Sequence, residues 1–473
     1  MVASQRCVSA LFFSIAFSMT SLFSLSPAGA QTGTQPSGGF IEKDDAVPRT
    51  RLANSQMQSF LPVDRKKFTF PAPYNTEAFR LTTANDCGGR DCVVYPGYSY
   101  WRNMNNHVAS NQILIFLTLM KSWGGVGPTL FSFDKTTEQL AKVGPLFDPT
   151  SRFSEKTGEG WYFSGTQPTK LYMYDGPKLL RYDVITKVFE DVFDVTAQFG
   201  TNRNIWQVHS SDDDRVHSAT LQVTNTGEYL GCVVYLESTH QFRYYPKIGV
   251  FDECNLDKSG RWAVSLEDVG ISQDLANRIF DNTTGQETRL SGPYNTLGHL
   301  DMGYGYMVGA DNYNSSPNAS ILWNFEPAAS VGPMIHYNYD WYLNHVNHPS
   351  HTNAKAGIPA SDQFACGSNA DRNTYATNDV VCFRFDGSRS RLVVAPIMTD
   401  LNATGGYDDY GKAPKGNLDI TGRYFIWTSN IGSNRLDAFI VKVPSEVLYG
   451  QAPVAPSTVV ITPPATKGKK PVR

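Results

Sequence analysis

The sequence predicts an all-β protein, and more specifically a β-propeller with seven blades. Short apolar runs rich in β-branched and aromatic residues recur along the chain and are bounded by turn residues, as in ILIFLTL, KLYMYD, LGCVVYLE, ILWNF, VVCFRF and AFIVKVP. Helical periodicity is nearly absent, and the best short helix candidate is SQDLANRIF at 272–280. These two observations leave a sandwich, a barrel or a propeller, and an internal repeat decides between them.

The repeat combines a polar start, a turn and an apolar strand. Four copies carry it most clearly: NLDKSGRW (Asn255–Trp262), NLDITGRY (Asn417–Tyr424), HLDMGYGY (His299–Tyr306) and, more loosely, HSSDDDRV (His209–Val216). Such a unit buries its strand only against a neighbouring unit, as the blades of a propeller do. With weaker copies included, the units start at residues 106, 154, 209, 255, 299, 351 and 417. This spacing is of blade length, so we expect seven blades.

Composition divides the 473 residues into four parts. Residues 1–30 predict a signal peptide, because Arg6 precedes the apolar run ALFFSIAFSMTSLFSL and a small-residue AGA follows it. Residues 31–84 predict an irregular lead-in, residues 85–446 the propeller, and the Pro- and Lys-rich residues 447–473 a disordered tail. We therefore expect a secreted or periplasmic protein with no membrane span after cleavage.

The cysteines fit an oxidising compartment. The chain has seven, and Cys7 would leave with the signal peptide. The simplest pairing of the remaining six joins neighbours in sequence, because each bond would then close a short loop: Cys87–Cys92, Cys232–Cys254 and Cys366–Cys382. A thiolate metal site is the alternative. The net charge of −3 and the lack of a dense basic stripe indicate no nucleic-acid partner, and we expect a monomer.

We expect the apolar strand of each unit to be the innermost strand of its blade, so that the polar residues just before it surround one mouth of the central channel. The starts of the repeats would place seven side chains there: Asn106 or His107, Ser154, His209, Asn255, His299, His351 and Asn417. Polar groups that converge on one cavity indicate a binding site, and we assign His107, Asn255 and Asn417 to substrate binding. The alternative is structural, because such residues also bond the backbone of neighbouring turns.

The stretch HVNHPSHTN at 345–353 holds three histidines spaced three apart. Pro349 excludes a common helical face. We therefore expect His351 to join the channel ring and His348 to assist it. Together with His299 from the neighbouring blade, these imidazoles predict a divalent metal site. Neutral imidazoles suit Mn, Zn, Cu or Ni, and we take Mn, Zn or Ca as the candidate cofactors.

Two arginines come shortly before repeat starts, Arg102 in YSYWRNMNNH and Arg203 in TNRNIWQVH. We expect both to reach the same mouth, where a guanidinium group would bind an anionic substrate in a bidentate manner. Structural ion pairing is the alternative. Trp101 would offer its face to a sugar ring, although packing between blades accounts for most of the aromatic residues.

Three segments carry a resemblance to a known family: GHLDMGYGYMVGADN, HVNHPSHTN and GNLDITGRYFIWTSNIGSNRLDAFIVKVP. They resemble the secreted or periplasmic β-propeller family related to the oligogalacturonate lyases and the propeller-type ulvan lyases, over roughly residues 106 to 445. The resemblance implies β-elimination on an acidic, uronate-containing polysaccharide or oligosaccharide. A metal or an arginine would neutralise the carboxylate, a histidine or tyrosine would remove the C5 proton, and the oxygen on C4 would leave.

Carried onto this chain, the resemblance implies a metal held by His299 and the histidines of HVNHPSHTN. The chain departs from the family at Asn255, which stands where the family would place its catalytic histidine. His209 is then the best candidate for the base, with His107 or a tyrosine as alternatives. Arg102 and Arg203 complete the predicted catalytic group.

Two other functions stay open. One is a non-catalytic propeller that binds glycan or protein partners, which Asn255 and Asn417 favour. The other is a hydrolase or an oxidoreductase that uses the same mouth. The chain has no G-x-S-x-G nucleophile motif and no C-x-x-C-H haem motif, which disfavours a serine hydrolase and a c-type cytochrome.

Overall fold

The computed structural model describes residues 38–46, 49–94, 96–98, 100–268, 276–289, 297–311, 319–336, 356–368, 370 and 378–450. The predicted signal peptide and the part of the predicted tail beyond residue 450 lie outside these ranges.

The described residues before blade 1 contain three strands and one α-helix: β1 (Phe40–Lys43), α1 (Asn54–Phe60), β2 (Lys67–Thr69) and β3 (Glu77–Arg80). The next three groups of strands form the antiparallel sheets of blades 1 to 3. Blade 1 is β4 (Met104–Asn105), β5 (Gln112–Leu119), β6 (Gly127–Asp134) and β7 (Leu140–Pro145). Blade 2 is β8 (Tyr162–Phe163), β9 (Lys170–Asp175), β10 (Lys178–Asp183) and β11 (Phe189–Asp194). Blade 3 is β12 (Arg203–Ser210), β13 (Val216–Val223), β14 (Tyr229–Leu236) and β15 (Gln241–Pro246).

Blades 4 and 5 follow the same order. Blade 4 is β16 (Val250–Leu256), β17 (Trp262–Asp268), β18 (Ala276–Asp281) and β19 (Glu287–Arg289). Blade 5 is β20 (Leu297–Met302), β21 (Tyr306–Asp311), β22 (Ser320–Asn324) and β23 (Ser330–His336).

The last two blades each draw three strands from the C-terminal region. Blade 6 contains β24 (Phe364–Ser368), β25 (Asp379–Arg384) and β26 (Ser390–Pro396), and blade 7 contains β27 (Asn417–Leu418), β28 (Tyr424–Ser429) and β29 (Asp437–Lys442). The remaining described helices are short: α2 (Thr196–Phe199), α3 (Asp409–Lys412) and 3₁₀ helices at Ala84–Cys87, Lys121–Trp123, Ala360–Asp362 and Ser445–Tyr449. The predicted seven-bladed propeller is confirmed.

The N-terminal strands close the propeller. Strand β1 pairs with β26 as the outermost strand of blade 6, and the β2–β3 hairpin pairs through β3 with β29 of blade 7. Buried ion pairs hold these strands in place: Glu42 lies 2.6 Å from Arg391, and Arg80 lies 2.5 Å from Asp437. The prediction of an irregular lead-in over residues 31–84 is therefore wrong for β1 to β3, and the propeller begins before residue 85. Short edge strands with little periodicity of their own left no signal in the sequence.

The blade interiors follow from side-chain pattern. Seven of the eight residues of β5 are buried, because the second strand of a blade is covered on both faces by its neighbours. Apolar clusters then fill the space between consecutive blades; one contains Trp262, Trp323 and Phe325. This packing accounts for most of the aromatic residues, as the sequence indicated.

The aspartate of the NLD repeat stabilises the first hairpin of its blade and links that hairpin to the next blade. Asp257 Oδ1 accepts from the Trp262 amide at 2.9 Å, and its Oδ2 accepts from the Gly305 amide of blade 5 at 3.0 Å. Asp419 does the same, accepting from the Tyr424 amide and from Asn106 of blade 1. The repeat is thus a turn motif that follows the innermost strand.

Three details of the sequence reading need correction. The apolar strand after each repeat start is the second strand of its blade, because His209, Asn255 and Asn417 themselves lie on innermost strands. The start near residue 154 is early, since the innermost strand of blade 2 is Tyr162–Phe163. The helix expected at 272–280 is wrong for its described part, because β18 occupies Ala276–Asp281 and pairs with β17.

The three cysteine pairs lie at disulfide distance, in the connectivity expected from the sequence: Cys87–Cys92, Cys232–Cys254 and Cys366–Cys382. The second pair joins β14 of blade 3 to β16 of blade 4. Three such pairs are typical of an oxidising, extracytoplasmic compartment. Among the described residues, no helix has the length and apolar character needed to cross a membrane.

Candidate functional site

A polar pocket lies where the innermost strands of blades 2 to 5 end. About 410 Å³ of empty space lies among its lining residues, and this figure includes open solvent. Its lining comes from these strands, from their turns and from the segment before blade 1: Tyr100, Trp101, Arg102, Tyr162, His209, Ser210, Asn255, Leu256, Lys258, Asp301 and Met302. Four residues singled out from the sequence meet here: Trp101, Arg102, His209 and Asn255. Their chemical roles stay predictions.

His209 is a buried, uncharged imidazole at the centre of this group. Only 8% of its surface is exposed, and its Nε2 has no hydrogen-bond partner among the described residues. Burial, and then the nearby charge of Lys258, lower the pKa of His209 to about 3. The ring stacks on Trp101 with a centroid distance of 6.0 Å and contacts Tyr100 at 5.2 Å. An unprotonated nitrogen in a cavity can accept a proton from a ligand.

Two cations line the pocket beside His209. Arg102 is buried and lies 2.9 Å from Asp212, which also accepts from the Tyr304 hydroxyl at 3.2 Å. Lys258 is buried as well, with its Nζ 3.7 Å from Asp301 Oδ1. That distance exceeds a hydrogen bond, so the ammonium keeps donors for an anionic ligand.

A buried glutamate that the sequence did not single out stands behind Asn255. Glu253 accepts from Asn255 Nδ2 at 2.9 Å and from the Tyr100 hydroxyl at 3.2 Å. Burial, and then the neighbouring Asp252, raise the pKa of Glu253 to about 7. Burial also raises the pKa of Tyr100 well above its ordinary value. Asn255 is therefore held by its own strand, as the structural alternative expected, while it lines the pocket.

A chain of four hydrogen-bonding side chains runs from the pocket to the protein surface. The Tyr162 hydroxyl lies 2.7 Å from Ser210 Oγ, Ser210 Oγ lies 2.6 Å from His217 Nδ1, and His217 Nε2 lies 2.9 Å from Glu237 Oε1. Sequence reasoning missed this chain. Its only sequence signal is that a serine and a histidine flank the turn of a predicted hairpin, in SSDDDRVH.

Three predicted residues lie elsewhere. Arg203 begins β12, roughly 20 Å along the strand from Ser210 at an extended rise, and its guanidinium donates to the Asn202 carbonyl at 2.6 Å. The expectation that it reaches the same mouth as Arg102 is wrong, because it begins the strand whose other end, at His209 and Ser210, lines the pocket. His107 and Asn417 are not among the pocket residues. His107 Nε2 lies 3.2 Å from the Ser164 carbonyl of blade 2, and Asn417 donates to Asn103 at 2.9 Å.

The predicted metal ligands mostly lie outside the described residues. His348 and His351 fall in the undescribed range 337–355, and His299 lies on β20 with its side chain outside the described part. Within the ranges that are described, no group of three His, Cys, Asp or Glu side chains is arranged to hold a metal ion. The divalent metal therefore stays a prediction.

Solved structures of two oligogalacturonate lyases share this fold. One, from Vibrio parahaemolyticus, is 9% identical over 82% of this chain and 98% of its own, with a TM-score of 0.56. The other, an oligogalacturonate lyase in complex with manganese, is 12% identical over 82% and 98%, with a TM-score of 0.53. At such identities the likeness establishes the fold, a seven-bladed propeller. No protein-family profile matches the chain, and no curated protein matches it.

Proposed function

We propose that this propeller is a lyase that cleaves an acidic, uronate-containing oligosaccharide by β-elimination in the pocket around His209. The observation that carries the proposal is a neutral, buried imidazole whose Nε2 has no partner among the described residues, placed beside Lys258 and Arg102. The structural likeness to two oligogalacturonate lyases supports the choice of reaction.

The pocket supplies the two groups that this reaction needs. Lys258, assisted by Arg102, binds the uronate carboxylate and stabilises the charge that develops as the enolate forms. The imidazole of His209 takes the C5 proton, the C4–O4 bond breaks, and the departing oxygen takes a proton from solvent. A pKa of about 3 makes His209 a weak base in the free protein, but a bound carboxylate beside it favours the imidazolium form and raises that pKa towards the working pH.

Trp101 gives the pocket an aromatic wall. Its ring is buried against His209, and its indole nitrogen donates to the Val208 carbonyl at 3.1 Å. This bond fixes the ring in the orientation that stacks on the imidazole. A sugar that enters the pocket meets this pair of rings and the two cations, which together orient it.

The test is a panel of acidic polysaccharides, namely pectin, alginate, ulvan and glycosaminoglycans, with the ultraviolet absorbance of the unsaturated product as the readout. Wild type should produce a rise on at least one of them. His209→Gln should lose it, whereas His240→Gln, which changes an exposed histidine outside the pocket, should retain it. No rise with wild type on any member of the panel would exclude the lyase.

The second candidate is a non-catalytic propeller that binds an acidic glycan. The observation in its favour is Asn255, which replaces the expected catalytic histidine and is held by Glu253 at 2.9 Å. Binding of oligogalacturonate without any product absorbance, weakened in Lys258→Met, would support this function over the lyase.

A further inference from the structure

We propose that Ser210, His217 and Glu237 form a nucleophile–base–carboxylate triad that cleaves carboxylic esters at the wall of the pocket. This activity goes beyond the proposed lyase and does not depend on it. A triad is recognised by geometry and by the role of each group rather than by a sequence motif. The absence of G-x-S-x-G, which disfavoured a serine hydrolase at the level of sequence, therefore does not exclude one.

The three side chains stand on one blade. Ser210 and His217 are directly opposed partners on β12 and β13, and Glu237 follows β14, where Leu236 pairs with Val216. Opposed residues of an antiparallel pair point to the same face of the sheet. Groups fixed on neighbouring strands keep the geometry that a catalytic constellation needs.

The ionised carboxylate of Glu237 determines which group donates in each hydrogen bond of the triad. Glu237 can only accept when it is ionised, so His217 Nε2 donates to it across 2.9 Å. In the neutral ring Nδ1 is then the acceptor, and it receives the single hydroxyl proton of Ser210 across 2.6 Å. Tyr162 must in turn donate to Ser210 Oγ across 2.7 Å. With the hydrogen bonds in these directions, Ser210 donates its proton to its base, His217, and Oγ keeps an unshared electron pair for attack, as nucleophilic catalysis requires.

The three residues of the triad differ in their burial. Ser210 is half-buried and lines the pocket, whereas His217 is fully enclosed, with 0% of its side chain exposed. Glu237 is 27% exposed, and the same oxygen, Oε1, also lies 3.3 Å from Arg181. The hydrogen bond from His217, together with the charge of Arg181, lowers the pKa of Glu237, which keeps the carboxylate ionised.

The reaction is balanced with water as the second substrate. Ser210 Oγ, held in position by the hydrogen bond from Tyr162, attacks the ester carbonyl carbon; its proton passes to His217 Nδ1, and the carbonyl oxygen takes up the negative charge. The C–O bond to the alcohol breaks, and the alcohol leaves with the proton from His217. Water then attacks the acyl-serine and restores Ser210, with His217 again carrying the proton. Arg102 and Lys258 in the same pocket favour esters that carry an acidic group.

The experiment uses a fluorophosphonate probe on the full-length protein, with labelling followed by intact mass and located by peptide mapping. Wild type should take up one phosphonyl group on Ser210, and Ser210→Ala should take up none. His217→Gln and Glu237→Gln should label more slowly by at least about 100-fold, as in triads that lose the base or its carboxylate.

Two matched controls separate this activity from a structural role. His240→Gln removes a histidine that bonds the Tyr235 hydroxyl at 2.9 Å, and Glu190→Gln removes the other carboxylate held by Arg181. Both should label at the wild-type rate. If urea titration shows that His217→Gln is not folded, the labelling rate of Glu237→Gln tests the triad instead, because glutamine has nearly the same shape as glutamate.

Absence of labelling in wild type would overturn the triad, as would labelling of Ser210 at an unchanged rate in His217→Gln or Glu237→Gln. Because the probe carries no uronate, the result is independent of the polysaccharide panel. Labelling of Ser210 without any unsaturated product would support the triad and exclude the lyase. An unsaturated product without labelling of Ser210 would support the lyase and exclude the triad.

Discussion

Because His209 is buried and neutral, we expect the free energy of unfolding to fall in mild acid. The substitution His209→Gln should remove this part of the loss. The folded protein keeps His209 neutral down to a pKa of about 3, whereas the unfolded chain protonates it near the ordinary value of 6.5. Between these two values the unfolded state binds more protons, so the free energy of unfolding rises with pH and is lost as the pH falls. From pH 7 to pH 5 this linkage amounts to about 1.9 kcal/mol for this one group.

The assay is urea unfolding of wild type and of His209→Gln at pH 7 and pH 5. Other groups in the same range, such as Glu253 with its pKa of about 7, contribute equally to both proteins and cancel in the difference. Glutamine is neutral at both pH values, so the stability loss between them should be about 1.9 kcal/mol smaller in the variant. His240→Gln, an exposed control, should behave as wild type. An equal loss in wild type and His209→Gln would refute a buried neutral imidazole and, with it, the observation that carries the proposed function.

Three further predictions follow from other parts of the structure. Arg102→Met should weaken oligogalacturonate binding by at least about tenfold, or 1.4 kcal/mol, because Arg102 lines the pocket. Arg203→Met should leave the affinity within twofold, because Arg203 lies outside the pocket, and equal effects of the two substitutions in a binding titration would contradict this placement. Replacing Cys232 and Cys254 by alanine opens a loop with a sequence separation of 22 and should lower the free energy of unfolding by about 3.4 kcal/mol in urea, with no loss speaking against the bond. Glu42→Gln should cost about 3 kcal/mol in the same assay, because it removes the carboxylate that contacts the fully buried Arg391 at 2.6 Å; a cost below about 1 kcal/mol would contradict closure through this pair.

The sequence by itself determined the repeated part of the molecule. Each blade is built from consecutive hairpins, so its pattern of apolar strands and turn residues is local and can be read along the chain. The same locality explains why neighbour pairing of the cysteines was correct. It also explains why His209 and Asn255 could be placed together, because both end the innermost strands of adjacent blades.

Only the tertiary structure decided how the circle closes and which groups meet in the pocket. Strands β1 to β3 reach blades 6 and 7 across more than three hundred residues, and no local pattern encodes such pairing. The contact between Ser210, His217 and Glu237 depends on strand register, since a shift of one residue would turn His217 to the other face of its sheet. Neutral His209 is likewise a property of burial, because its pKa is set by what the fold packs around it.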